Sequence, residues 1–182
     1  MIVEELKIEN FQETIFKHIQ NKQECVLYSL IPRNIVYKGK GTIDEQYCLE
    51  HGYLVYNSID FGGGLVATKN DLVLVVLKNE GWSVGLEIVE SIISYLKEKG
   101  LNVSLVNNDI IIDEQFKVAS YSSVNVGNNC IYTGVQCTFN PNVEDIKNIC
   151  KYKPMKKIPK GLSDYGITNE ELLNLCLNIC RK

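Results

Sequence analysis

Residues 101–121 read LNVSLVNNDIIIDEQFKVASY, and the fold turns on how this stretch is parsed. Runs rich in Val and Ile, bounded by Asn-Asn and by Asp-Glu-Gln, predict strands at Val103–Val106, Asp109–Ile112 and Phe116–Tyr121. The two links hold two and three residues, whereas parallel neighbours need a crossover of about a dozen. The strands must therefore run antiparallel, with the turn at Asp113–Gln115 carrying the chain back so that Lys117 lies on the returning strand. A lysine within an apolar strand is costly unless its ammonium reaches solvent or an anion.

Working outward, strands are predicted at Cys25–Leu30 (stopped by Pro32), Asn34–Tyr37, Tyr53–Asn57 and Ile131–Phe139. Leu65–Thr68 and Leu72–Leu77 read as a hairpin joined across Lys69-Asn70-Asp71. Helical spacing of Phe11, Ile15, Phe16 and Ile19 predicts a first helix over 10–21. Thr42 and Glu45 have capping-box spacing for a short helix ending at Gly52. Ser83–Lys99 carries the stripe Ile88, Val89, Ile92, Tyr95 and Leu96, with Gly100 as its C-terminal stop. Pro141-Asn142 opens a helix through Cys150, residues 151–160 form a basic loop, and Thr168 with Glu171 caps a final helix. The fold class is α/β (α+β): a mixed, largely antiparallel sheet flanked by helices. With no repeat, linker or composition break, residues 1–182 are expected to form a single domain.

Composition narrows the function classes. The chain is 45% apolar and 23% charged, in the ordinary globular range. A net charge of −3 argues against a general nucleic-acid binder, which needs a basic face. The longest apolar run, Leu72–Leu77, falls far short of the ~20 residues of a spanning helix, so no membrane partner is expected. The start MIVEELKIENF lacks the basic-then-apolar pattern of a secretory signal. Seven scattered cysteines without CxxC spacing read as buried thiols in a reducing, cytoplasmic setting, although Cys176 and Cys180 have the spacing of half a metal site.

Three features carry chemistry. Gly62-Gly63-Gly64 lets backbone N–H groups approach a ligand, or makes a plain turn. Lys117 either binds an anion or points to solvent. Lys151, Lys153, Lys156, Lys157 and Lys160 form a cluster that either docks an acidic partner or is simply solvated.

In order, the segments CVLYSLIPRNIVYKGKG, TIDEQYCLEHG, YLVYNSIDFGGGLV, DLVLVVL, KEKGLNVSLVNNDIIID and FKVAS resemble the catalytic domain of lipoate–protein ligases, in the biotin/lipoate ligase superfamily. The resemblance spans roughly residues 10–180 and is most specific at the triple glycine and at NDI…KVAS, which is similar to the family's NDI…KISG. It implies the fold shared by biotin–lipoate ligases and class II aminoacyl-tRNA synthetases. It also implies a two-step reaction: lipoate or a similar medium-chain acid and ATP form acyl-AMP, and the acyl group passes to a lysine of a lipoyl-type carrier domain or other acceptor protein. By correspondence, Lys117 is the catalytic lysine at the acyl carboxyl and α-phosphate. Gly62, Gly63, Gly64, Asn108, Asp109 and Ser120 contact substrate or adenylate, and Asp109 is the expected Mg²⁺ ligand. The resemblance further implies that residues 1–182 are a single catalytic-type domain without the accessory C-terminal domain many such ligases carry, and because such ligases can divide their half-reactions between chains, an accessory chain is an implied partner.

The resemblance also brings departures. The family pattern is close to R-R-x-G-G-G-x-V-x-H-D, and here residues 59–69 read IDFGGGLVATK. Both arginines are absent, Asp60 introduces an acid, and Thr68-Lys69 replace His-Asp. Two alternatives follow: a non-catalytic relative that binds ligand or regulates, and an octanoyltransferase-like enzyme using Cys150 as thioester nucleophile.

Overall fold

The run Leu72–Leu77 is apolar on alternate and intervening positions alike, so it has to be covered on both faces, and the fold is arranged around it. The computed structural model describes residues 1–38, 43–57, 64–79, 83–127, 129–150 and 155–180. Among them the strands are β1 (Ile2–Glu5), β2 (Cys25–Leu30), β3 (Ile35–Lys38), β4 (Leu54–Asn57), β5 (Leu65–Ala67), β6 (Leu72–Lys78), β7 (Val103–Val106), β8 (Asp109–Ile112), β9 (Phe116–Asn125), β10 (Ile131–Cys137) and β11 (Ile158–Pro159). The helices are α1 (Phe11–Gln20), α2 (Glu45–Glu50), α3 (Ser83–Glu98), α4 (Val143–Ile149) and α5 (Asn169–Cys180), with 3₁₀ turns at Ile8–Asn10 and Leu162–Tyr165.

The main sheet has the order β1-β2-β6-β10-β9-β8-β7, with β11 added alongside β9; a second sheet has the order β4-β3-β5. Neighbours in the main sheet are antiparallel except β1 with β2 and β11 with β9. One face of the main sheet carries Leu72, Leu74, Val76, Ile110, Ile112, Val118, Ala119, Val135 and Cys137. It packs against α3 and α5 through Ile88, Ile92, Leu96, Leu172 and Cys176. The opposite face carries Leu27, Val73, Val75, Leu77 and Tyr132 and packs against α1 and the small sheet through Phe11, Ile15, Ile35 and Tyr37. A third cluster joins α2 and α4 to the small sheet through Val36, Cys48, Tyr53 and Ile149. There the buried Asp145 carboxylate accepts hydrogen bonds from the Tyr47 and Tyr53 hydroxyls, at 2.9 and 3.0 Å.

Three expectations are corrected. The hairpin of Leu65–Thr68 with Leu72–Leu77 does not form: β5 pairs with β3, while β6 is flanked by β2 and β10 and has no free edge for β5. The link is still a tight turn, with Asn70 at φ 76° and the Asp71 N–H donating to the Thr68 carbonyl, but its arms enter different sheets. The second helix opens at Asp44, whose carboxylate accepts from the Tyr47 N–H, so Glu45 begins the helix; Thr42 lies outside the described residues. The stretch read as a wholly irregular basic loop contains β11, and the acidic N-terminus supplies β1 at the sheet edge. The Thr168–Glu171 capping box forms as expected, with both reciprocal bonds present.

Candidate active site

A bulge organises the region around Lys117. The β8–β9 register passes from Ile110 opposite Ala119 to Ile111 opposite Lys117, leaving Val118 as the extra residue. Its carbonyl accepts from the Thr138 N–H at 2.8 Å. Val118 and Ala119 then both enter the core beneath α3 and α5. Lys117 and Ser120, three apart in sequence, consequently share the opposite face, where strict alternation would separate them. Ser120 lies opposite Asp109 on one side and Gln136 on the other. The Lys117 ammonium sits 2.8 Å from Asp109 Oδ1, and each side chain is 35% exposed, so the pair stands at an open end of this face. Asn108 is exposed in the β7–β8 turn, where its carbonyl accepts from the Tyr121 N–H. Lys117, Asp109, Asn108 and Ser120 are thus gathered in one place.

Beyond Lys117, β10 has ended and β11 takes its position, pairing Ile158 with Phe116 and Pro159 with Lys117. Lys160 returns its N–H to the Lys117 carbonyl, and its ammonium lies over the Phe116 and Tyr165 rings. The basic cluster is therefore partly engaged: Lys157 also bonds the Glu114 carbonyl. Lys151 and Lys153 lie outside the described residues, as do Gly62, Gly63 and Asp60. Gly64 is exposed at the entrance to β5.

Several residues of this face were not singled out from the sequence. Ser122 and Gly134 lie opposite each other, followed by Val124 opposite Tyr132. Gln136 donates to the Val66 carbonyl at 2.8 Å and so ties the small sheet to the main one. The isolated glycine within a strand was the available signal, since such a position marks a close approach. Asp71 is the other omission. It is 1% exposed and accepts bonds from Thr68 N, Thr68 Oγ1, Phe139 N and Gln136 Nε2. Burial raises its carboxyl to about 6, outweighing the bonds that favour the charged form.

Thr68, which the sequence resemblance sets in place of a histidine, is buried with its hydroxyl bonded to Asp71 and to the Asn140 carbonyl. Cys150 caps the end of α4, half-buried against the third cluster with Cys48 and Val66. Cys176 and Cys180 are buried in the first cluster, where desolvation pushes their thiols up to about 12 and about 11. A cavity of about 340 Å³ opens between the start of α1 and β3–β4, beside Glu9, Glu13, Tyr37 and Tyr56; none of the residues expected from the sequence lines it.

Comparison with known proteins decides the family. The sequence profile of the lipoyl protein ligase A/B catalytic domain matches residues 8–175. The chain belongs to that family. A search of curated proteins finds no match. Solved structures share the ligase fold at low identity. P. falciparum LipL1 in complex with lipoate superposes with a TM-score of 0.78 at 14% identity, covering 98% of this chain and 60% of that one. A bi-partite lipoate protein ligase with its E2 lipoyl domain from Thermoplasma acidophilum gives 0.75 at 12% identity, over 98% and 81%. Lipoate-protein ligase A bound with ATP gives 0.74 at 13% identity, over 98% and 84%. The ligase-family chain thus spans less than two thirds of the Plasmodium protein. No helix of its described residues is long and apolar enough to cross a membrane.

Proposed function

We propose that this ligase-family chain activates lipoate or a similar medium-chain acid as acyl-AMP and transfers the acyl group to a lysine of a carrier protein. The observation that carries the reading is the Lys117–Asp109 pair at the open end of the sheet face, beside Ser120. In the first step a carboxylate oxygen attacks the α-phosphorus of ATP, and pyrophosphate leaves with its electron pair. In the second the neutral carrier amine attacks the acyl carbonyl, AMP leaves, and the amine proton is lost to solvent. A fixed ammonium at Lys117 stabilises the negative charge that gathers on the phosphoryl and carbonyl oxygens in both steps. Gly62, Gly63 and Gly64 are assigned to close approach of the acyl chain, and Asn108 and Ser120 to adenylate contacts. Asp109 is assigned to Mg²⁺ held jointly with ATP phosphates, its carboxylate being paired in this structure with the Lys117 ammonium; among the described residues no group of three His, Cys, Asp or Glu side chains forms a complete site. The ion would supply neutralisation of phosphate charge. The partners proposed are a lipoyl-type carrier domain and an accessory chain, and the setting proposed is cytoplasmic.

The test is ATP–pyrophosphate exchange dependent on lipoate or octanoate. Lys117→Ala should lower exchange by about 10²–10³, the usual loss on removing one transition-state donor. No exchange with lipoate, octanoate or biotin would refute the ligase reading. One observation favours the non-catalytic alternative: Thr68 is committed to holding the Asp71 turn and offers no titrating group where the family has histidine. Under that reading the acid binds without pyrophosphate release. The transferase alternative instead requires ATP-independent acyl transfer that Cys150→Ser abolishes.

A further inference from the structure

We propose that Tyr132 forms the end wall of the acyl channel and limits this chain to medium-length acids. This inference rests on the ligase reading of the same site and goes on to say which acids fit it. The second face of β9 and β10 is graded along its length. It begins with Lys117 and Asp109, continues through the Ser120–Gln136 and Ser122–Gly134 rows, and ends at the Val124–Tyr132 row, which joins the apolar cluster under α1. A charged head, a floor of the small residues Ser120, Ser122 and Gly134 bounded on the β10 side by Gln136 where it reaches the Val66 carbonyl, and an apolar end match an amphiphilic acid with its carboxylate at Lys117.

The far end is closed by one side chain. Gly134 has no Cβ, and Tyr132 uses that space: a Cβ built on Gly134 would stand 2.7 Å from the Tyr132 hydroxyl and 3.1 Å from its ring. The ring thus leans along the strand and covers the Gly134 row, with only 7% of the residue exposed. Phe11, Tyr37 and Cys130 share its cluster, so the ring is backed by packed side chains. The open floor between the Asp109 row and the covered row is two strand residues, or roughly 7 Å. That length, added to the reach of the lysine end, suits a medium chain and excludes a long-chain fatty acid. A larger residue at 134 would displace the ring, and a smaller one at 132 would extend the floor.

The experiment measures binding of hexanoate, octanoate, decanoate and dodecanoate to the full chain by calorimetry, which needs no turnover. In the wild type, affinity should climb to octanoate and then fall. Tyr132→Ala should move the break to longer acids and raise dodecanoate affinity more than tenfold, since each newly buried methylene contributes about fourfold. Tyr132→Leu serves as a second variant that retains more of the packing. Tyr132→Phe keeps the ring and should keep the wild-type profile. An unchanged length profile in folded Tyr132→Ala and Tyr132→Leu, with acids still binding, would overturn the wall and leave the ligase reading standing. A wild type that binds none of these acids, nor lipoate or biotin, would overturn both.

Discussion

Gly85→Ala sets two well-known effects against each other. Gly85 lies in the first turns of α3, where replacing glycine by alanine in an exposed helix stabilises by up to about 1 kcal/mol. Here a Cβ would stand 2.4 Å from Thr133 Oγ1, 2.5 Å from its Cβ and 2.6 Å from its Cγ2. No rotamer of Thr133 resolves this, because its own Cβ is among the colliding atoms. Thr133 cannot retreat either: it is 2% exposed in central strand β10, and its hydroxyl bonds Ser123 at 2.8 Å. The helix must lift by about an ångström to restore ordinary contact, loosening Ile88, Val89 and Ile92 against the sheet. Overpacking of this kind costs about 1–3 kcal/mol and outweighs the propensity gain. Since 1 kcal/mol corresponds to about 2–4 °C in a chain of this size, the midpoint should fall by several degrees in a thermal melt followed by circular dichroism. Thr133→Gly in the same chain should recover part of the loss, whereas Thr133→Ser should not. A variant as stable as wild type, or more so, would refute the close approach of α3 to β10.

The buried carboxylate gives a prediction in pH. Asp71 binds its proton more tightly when folded (about 6) than in the unfolded chain, at its ordinary value near 3.8. Its stabilising contribution is therefore fully present below about 4 and is lost as pH rises through about 6, by roughly 3 kcal/mol. Asp71→Asn should flatten the urea-derived stability curve between pH 4 and 6, and an identical slope in both proteins would count against the burial argument. Thr168→Ala removes the hydroxyl that accepts from the Glu171 N–H and should cost about 1 kcal/mol, read from the urea midpoint. Cys150→Ser should leave acid-dependent pyrophosphate exchange within about twofold of wild type, because a packed helix-end thiol has no part in the adenylate route.

Much of the fold was legible because the sheet strands and helices have distinct periods. The 101–121 stretch announces its antiparallel strands through link length alone, and the α3 stripe is unambiguous. Partner choice was not legible. Lys69-Asn70-Asp71 looks like a hairpin link, and only the double-sided burial of Leu72–Lys78 reveals that its neighbours are β2 and β10. Short edge elements were equally hard to read: β1 is mostly exposed and acidic, and β11 is two residues beside a long β9. At the site, family likeness singled out Lys117, Asn108, Asp109 and Ser120, and the bulge explains why they share a face. Tyr132, Gly134, Gln136 and Asp71 escaped notice because their significance lies in cross-strand register and burial, which no local pattern carries.

The position of β11 has a consequence for how the protein is made. Lys117 has Ile111 on one side, available as soon as the β8–β9 hairpin closes, but on the other it is held by Pro159 and Lys160. At ribosomal rates of roughly 5–20 residues per second, several seconds separate the emergence of the lysine from that of the strand that completes its surroundings. Through that interval a nascent chain can own a nearly finished sheet while Lys117 still lacks its second neighbour. The Lys117 end of the sheet is thereby assembled among the last of the molecule's parts, and a ribosome that stalled in the stretch after α4 would leave a chain with most of its core and an unfinished Lys117 strand.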